Sequence, residues 1–355
     1  MVRILVVEDS PVAAELLKHI LVSEPGFEVV GHVVDGESAV EEVSRLRPDV
    51  VTMDIHLPGM DGFATTRRIM ETTPTRIVVV SGTLNTNEVD TSLKALEAGA
   101  LTVVKRPVGP THPEFAAESK QLVRMVRLMS EIKVVRRYSH NGKPQGQKSE
   151  QREELKSFPS EVNLNRIKLI AIGASTGGPQ ILHAIFEKLP GNFPLPIIVV
   201  QHMSTGFMEG YTEWLKRNTN LSVRLANDGD RLLPGTVYFA PDEIHMRLKD
   251  KSTLELKHAD KQHGIRPSIS CLFDSIAELC GERTLAILLT GMGKDGAEEL
   301  LKIRQAGGFT IAQDEPSSVV YGMPKEAVRL GAAIAEMNPA QITELLLQVS
   351  SAQAK

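Results

Sequence analysis

The chain has 355 residues, 42% of them hydrophobic and 24% charged, with a formal net charge of −4. At roughly 100 to 200 residues per domain this predicts two domains, or three small ones, and excludes collagenous, wholly disordered and disulfide-stapled chains. The charge divides evenly, with 20 basic and 23 acidic residues up to position 165 and 20 and 21 beyond it; neither half has the excess of a nucleic-acid clamp, and no apolar run reaches the roughly 18 residues of a membrane span.

Over the first 105 residues, apolar runs of strand length recur as RILVV, FEVVGHVV, DVVTMD, RIVVVSG and LTVVK. Between them lie the helical stretches PVAAELLKHILV, ESAVEEVSRL, FATTRRIMET and NEVDTSLKALEAG. Strands that are apolar nearly throughout, alternating with helices, predict a parallel sheet covered on both faces. A closing helix is read from PEFAAESKQLVRMVRLMSEI, where Phe115, Leu122, Met125, Val126 and Met129 hold a stripe at helical spacing. These units make a first domain over 1–135. The polar stretch RRYSHNGKPQGQKSEQREELKSFPSEVN follows, so 136–165 reads as a linker.

Alternation restarts near Arg166 with KLIAIGAS, PLPIIVVQHM, SVRLAND, TVYFAP, TLAILLTGMG and GFTIAQDE, predicting a second α/β domain over 166–350 with a hairpin near MRLKDKSTLELKH. Two doubly wound parallel-sheet α/β domains joined by a polar linker are therefore expected. Cys271 and Cys280, the only cysteines, lie nine apart in SISCLFDSIAELC. On a helix they fall on opposite faces about 13 Å apart, too far for a disulfide, so two buried free thiols are expected. The start MVRILVVEDS lacks the apolar length of a signal peptide, which predicts a cytoplasmic protein.

Polar residues placed just after parallel strands converge on one sheet edge. In the first domain these are Glu8 and Asp9 after the first strand, Asp54 after the third, Ser81 after the fourth and Lys105 after the fifth. Clustered carboxylates suit magnesium, and a hydroxyl with a lysine beside them suits a phosphoryl group. With the Pro-Gly turn of DIHLPGMDG, the segment resembles a response-regulator receiver domain over residues 1 to 125. That resemblance implies Asp54 as phosphoacceptor, Glu8, Asp9, Asp54 and the backbone carbonyl of His56 as the Mg2+ shell, and Ser81 and Lys105 as phosphoryl-sensing residues. Two positions depart from the pattern: Arg106 stands between Lys105 and Pro107, and Thr102 stands where many receivers carry a signalling aromatic.

In the second domain, LIAIGASTGGPQIL places Ser175 between a strand and a helix with the spacing G-x-S-x-G, a nucleophile elbow whose helix-start amides could stabilise an oxyanion. The Rossmann fingerprint G-x-G-x-x-G is not met, because Ser175 occupies its second glycine position. Among ten histidines, His202 follows the next strand directly and His245 lies past VYFAP, while His183 sits too far into the helix to reach Ser175. Asp295, in the glycine-rich loop of TLAILLTGMGKDG, and Asp314, after GFTIAQ, both offer an orienting carboxylate. Position alone leaves both choices open.

The set Gly173-Ala-Ser-Thr-Gly-Gly-Pro179, Gln201-His-Met203, Ala240-Pro241 with His245-Met246, Arg266-Pro-Ser268, Thr290-Gly-Met-Gly-Lys-Asp-Gly296, and Gln313-Asp-Glu315 with Tyr321-Gly-Met-Pro324 resembles the catalytic domain of the chemotaxis protein-glutamate methylesterases. The resemblance covers about residues 166 to 350 and sits behind a receiver, as in that family. It implies Ser175 as nucleophile, His202 as general base and acid, Asp295 as the residue that orients the imidazole, and Thr176 and Met292 as lining of the oxyanion and substrate site. It further implies methyl-accepting chemoreceptors as substrates, a chemotaxis histidine kinase as phosphodonor, glutamine deamidation as a companion activity, no cofactor for the ester step, and no nucleic-acid or membrane-inserted partner. A response regulator with a non-enzymatic, nucleic-acid-binding or protein-binding output domain is the alternative.

Overall fold

The computed structural model describes residues 1–82, 94–132, 163–262 and 264–353. The chain separates into two compact units, Met1–Lys148 and Ser149–Lys355. Most of the expected linker, and all but residues 94–99 of the helix expected from NEVDTSLKALEAG, lie outside the described residues; 94–98 are helical.

The first unit is built on β1 (Val2–Val7), β2 (Phe27–Val33), β3 (Val50–Met53), β4 (Arg76–Ser81) and β5 (Thr102–Lys105). Every registered pair is parallel and the strand order is β2-β1-β3-β4-β5, the flavodoxin-like arrangement. β3 is buried throughout and β1 and β4 over most of their length, which is why they read as continuous apolar runs. Three helices begin at side-chain caps: Ser10 accepts from the Ala13 N–H, Asp35 from Ser38 and Asp61 from Ala64. The closing helix Phe115–Ser130 buries Leu122, Val126 and Met129, the apolar stripe of the sequence.

The second unit carries a seven-stranded sheet of β6 (Leu169–Ala174), β7 (Ile197–Gln201), β8 (Ser222–Leu225), β9 (Thr236–Phe239), β12 (Thr284–Leu288), β13 (Phe309–Gln313) and β14 (Ala335–Met337). The order is β14-β13-β12-β6-β7-β9-β8, parallel at every registered pair. The chain winds outward from β6 through β7, then returns to the other side of β6 to lay down β12 and β13. The helix Ala297–Gln305 packs against the helix Ile269–Cys280, and the helix Gly178–Phe186 against the terminal helix Pro339–Gln353. The expected hairpin is present as β10 (His245–Asp250) and β11 (Thr253–Lys257), paired antiparallel. It packs against the helix Ile269–Cys280, whose Ile269, Leu272, Phe273 and Ile276 join Tyr238, Leu288 and Leu300 in the core.

Edge strand β14 has no counterpart among the expected elements, since three residues of AEM carry too little pattern to register. The terminal helix Pro339–Gln353 docks through Ile342, Leu345, Leu346 and Val349, and Gln353 Nε2 donates to the carbonyls of Leu164, Asn165 and Ile167. Leu164 and Asn165, just before the expected 166–350, and Gln353, just after it, thus meet through these bonds. Both cysteines are free; Cys280 is buried as expected, whereas Cys271 is only partly so. Among the described residues no helix is long and apolar enough to cross a membrane.

Candidate active site and phosphoacceptor pocket

The change of winding direction falls between β6 and β12, and an α/β sheet opens a crevice at that point beyond the carboxyl ends of its strands. Ser175 leaves β6 there. Its predecessor Ala174 is in register with Gln201 on β7, so Ser175 and His202 emerge side by side from neighbouring strands. Backbone bonds hold this edge: the His202 N–H donates to the Ala174 carbonyl at 2.9 Å, and the Ser175 N–H to the Thr290 carbonyl, beyond β12, at 3.0 Å.

Close packing forces small residues around the serine. A Cβ on Gly291 would lie 2.5 Å from the Ser175 Cβ, and one on Gly178 would lie 2.1 Å from Gln201 Oε1. Gly177 adopts a left-handed φ of 82°, the tight turn that lets the helix begin at Gly178 immediately after the strand. Between these points, no acceptor among the described residues takes the N–H of Thr176 or Gly177, leaving both for an oxyanion. Thr176 accepts from Thr290 Oγ1 through its carbonyl at 3.0 Å. Met292 belongs to the facing loop, its Cα 3.1 Å from where a Cβ on Gly322 would stand.

Asp295 is buried, and four donors face its carboxylate. Ser268 Oγ and the Ser270 N–H donate to Oδ1 at 2.8 and 3.1 Å, the Ile269 N–H donates to Oδ2 at 2.7 Å, and His202 Nε2 stands 3.1 Å from Oδ2. Two of these are first-turn amides of the helix Ile269–Cys280, an anion site by construction. Burial alone would raise this carboxyl; the histidine, the Ser270 side chain and the Ile269 amide outweigh it and hold the group well below the usual carboxylate range. Nε2 is at ion-pair distance, yet its N–H is not aimed for an aligned hydrogen bond and the atom has no other partner. Resting enzymes commonly show such a loose contact, which a small ring rotation on substrate binding tightens. With Nε2 turned to Asp295, Nδ1 is the nitrogen left to accept the serine proton.

The rival residues are committed elsewhere. His245 Nδ1 accepts from the Ser268 N–H at 3.2 Å and its Nε2 donates to the Asp260 carbonyl at 3.0 Å, which spends both ring nitrogens on backbone. Asp314 accepts from Ser317. The His183 ring packs on Trp214 at 4.4 Å between centroids. Two residues quoted only as parts of motifs prove central to the geometry. Gln201 Nε2 donates to the carbonyls of both Ser175 and His202, at 2.9 and 2.7 Å, and Gln313 Oε1 accepts the Thr290 N–H at 2.8 Å. Their signal in the sequence was a glutamine ending an otherwise apolar buried strand, in IIVVQ and FTIAQ.

Asp295 also sets a pH dependence. Its carboxyl is depressed in the folded state, so its contribution to stability is present above the ordinary aspartate pKa near 4 and is lost as pH falls through the folded value. Denaturant midpoints of wild type and Asp295→Asn should therefore differ most at neutral pH and converge progressively below about pH 4; a difference that does not change between pH 7 and pH 3 refutes this.

In the first unit, Glu8, Asp9 and Asp54 each offer a carboxylate oxygen within 4.8 Å of the others. Glu8 and Asp54 are buried and Asp9 is exposed. Burial raises both buried carboxyls, and for Glu8 the Asp54 charge adds to the rise. A small divalent cation would relieve that repulsion, and hard oxygen donors at this spacing fit magnesium. Ser81 is buried at the end of β4, in register with Lys105, and the His56 side chain is exposed two residues past Asp54. Lys105 turns away from the acids: its Nζ lies 2.6 Å from Glu118 and 3.9 Å from Glu114, beside the closing helix. Arg106 enters the cluster instead, its Nη1 3.0 Å from each oxygen of Glu8.

A flavodoxin-like unit with an acidic acceptor pocket, ahead of a Rossmann-like unit with serine, histidine and aspartate at its switch point, defines a response regulator with a hydrolase output. Family models agree with that division: the response regulator receiver domain matches residues 4–113 and the CheB methylesterase matches 170–346. The chain is 47% identical over 352 residues, 99% of each chain, to a protein-glutamate methylesterase/protein-glutamine glutaminase of Geobacter metallireducens. It is 44% identical over 358 residues, the full length of both, to one of Syntrophus aciditrophicus. The CheB methylesterase catalytic domain of Thermotoga maritima, a solved structure, has 40% identity and a TM-score of 0.50, covering 52% of this chain and 98% of its own. The chain belongs to the CheB methylesterase family.

Proposed function

We propose that this protein is a cytoplasmic, phosphorylation-activated protein-glutamate methylesterase that hydrolyses glutamate γ-methyl esters on methyl-accepting chemoreceptors. The observation that carries the reading is the partly exposed His202 paired with the buried Asp295 at the strand end beside Ser175, at the switch point of the sheet. Ser175 Oγ attacks the ester carbonyl carbon while His202 takes its proton. The C–O bond to the methoxy group breaks, His202 returns the proton, and methanol leaves. Water, deprotonated by His202, then cleaves the acyl-enzyme, releasing the receptor carboxylate and restoring the serine. The N–H groups of Thr176 and Gly177 face the oxyanion, Met292 lines the opposite wall, and Asp295 keeps the imidazole turned and stabilises its charged form. The same steps on a glutamine side chain release ammonia in place of methanol, giving the glutaminase activity.

Control resides in the first unit, with Asp54 as phosphoacceptor and a chemotaxis histidine kinase as donor. An Asp54 oxygen bonds to phosphorus as the bond from phosphorus to the donor breaks. Glu8, Asp9, Asp54 and the His56 carbonyl would hold Mg2+, which when bound neutralises the phosphoryl oxygens and the crowded carboxylates. Ser81 stands at the edge where those oxygens arrive. Acetyl phosphate with Mg2+ should raise methanol release from methylated receptor membranes, about tenfold if the modification favours a minor active state by ~1.4 kcal/mol. The Asp54→Asn protein should keep the basal rate and show no rise. An equal rise in both excludes Asp54 as the control point.

A further inference from the structure

The receiver pattern supplies one cation after its fifth strand, and this chain has two adjacent candidates, Lys105 and Arg106. We propose that Arg106 is the cation that meets the phosphoryl group on Asp54, and that until then it occupies Glu8 in competition with Mg2+, while Lys105 is a structural residue. The proposal rests on the reading of Asp54 as phosphoacceptor.

The two side chains are separated by the partners they take. Lys105 is consumed by Glu118 at 2.6 Å, and the same glutamate accepts the Val108 N–H at 2.9 Å, so Glu118 fastens the chain after β5 to the closing helix. A lysine locked there helps to fix the loop and is not aimed at the acids. Arg106 is directed to a different partner, with Nη1 3.0 Å from both oxygens of the buried Glu8. The guanidinium lies against the end of β4: a Cβ on Gly82, next to Ser81, would stand 2.1 Å from Arg106 Nη2. The Arg106 N–H donates to the Ser81 carbonyl at 2.7 Å, tying its backbone to the strand end where the phosphoryl oxygens arrive.

The chemistry suits the placement. A guanidinium remains charged at any physiological pH and presents a planar fork matched to both carboxylate and phosphate oxygens, whereas a lysine is a point charge. Mg2+ binding at Glu8 requires the carboxylate that Arg106 holds, so the metal releases the fork, and a phosphoryl group on Asp54 supplies its next partner. Arg106 thereby links metal occupancy to phosphoryl recognition through a single side chain.

The test uses the full chain with two readouts that do not depend on esterase turnover: Mg2+ affinity by calorimetry, and binding of fluoroberyllate, a phosphoryl mimic, by fluorine NMR in saturating Mg2+. Arg106→Gln should bind Mg2+ roughly tenfold more tightly, because a competitor and a positive charge are gone, yet bind fluoroberyllate at least roughly tenfold more weakly. Arg106→Lys, which restores the charge without the fork, should fall between wild type and Arg106→Gln in both. Lys105→Gln should match wild type within about twofold in both readouts, a difference of under half a kcal/mol. The opposite movement of the two affinities in one variant is not the signature of a merely destabilised loop. Loss of fluoroberyllate binding in Lys105→Gln with retention in Arg106→Gln overturns the proposal, as does an unchanged or weakened Mg2+ affinity in Arg106→Gln. Equal fluoroberyllate binding by wild type and Asp54→Asn would instead overturn the phosphoacceptor reading beneath it.

Discussion

Ser175→Ala should lower methanol release by about a million-fold in turnover, with receptor binding and thermal stability close to wild type. The magnitude follows from the chemistry: with no hydroxyl at the strand end there is no covalent intermediate, and what remains is the rate that oxyanion donors and positioning give to direct attack by water. Little structural cost accompanies it, because the Ser175 contacts that organise the edge are made by its backbone, through its N–H to Thr290 and its carbonyl to Gln201. Single-turnover methanol assays on methylated receptor membranes measure the effect. A variant retaining even one per cent of wild-type turnover refutes the nucleophile assignment.

Asp295→Asn is expected to cost a thousand- to ten-thousand-fold in turnover, by the tautomer argument that applies to serine triads generally, on the order of 4 to 5.5 kcal/mol. Here the environment adds a second penalty. The carboxylate accepts from Ser268 Oγ and the Ser270 N–H on one oxygen, and faces the Ile269 N–H and His202 on the other. An amide has one acceptor, so one set of donors must meet an NH2 group, and leaving a buried donor unpaired costs about 1 to 3 kcal/mol. The variant should therefore lose stability as well as rate. Temperature-controlled kinetics on the folded fraction separate the two, and a rate loss under tenfold there would remove Asp295 from the machinery. Ser268→Ala, which removes one donor and leaves the histidine, should show a far smaller rate loss, of about tenfold or less.

Much of the architecture is legible in the sequence. The parallel strands are readable because burial on both faces makes them continuous apolar runs, whereas the caps Ser10, Asp35 and Asp61 that start three helices emerge only from the structure. Edge strand β14 was not readable either, since an edge needs only a few paired residues and no apolar signature. The roles of Gln201 and Ser268 were equally hidden, because hydrogen bonds to backbone carbonyls or to a carboxylate 27 residues away have no local spacing.

What the sequence determined by itself is chemical inventory and order: a serine in a glycine elbow, acids and a hydroxyl at successive strand ends, and a receiver ahead of a hydrolase. These are local properties, set by which residue follows which strand. Position along the chain left His202 and His245, and Asp295 and Asp314, as alternatives; resemblance favoured His202 and Asp295, and the tertiary structure supplies the physical reason, because it shows which ring nitrogens and carboxylate oxygens of the rivals are already taken. The same holds for Lys105 and Arg106. They are neighbours in the chain and carry the same charge, and only the placement of Glu118 and Glu8 on separate elements sends one to the closing helix and the other into the acceptor pocket.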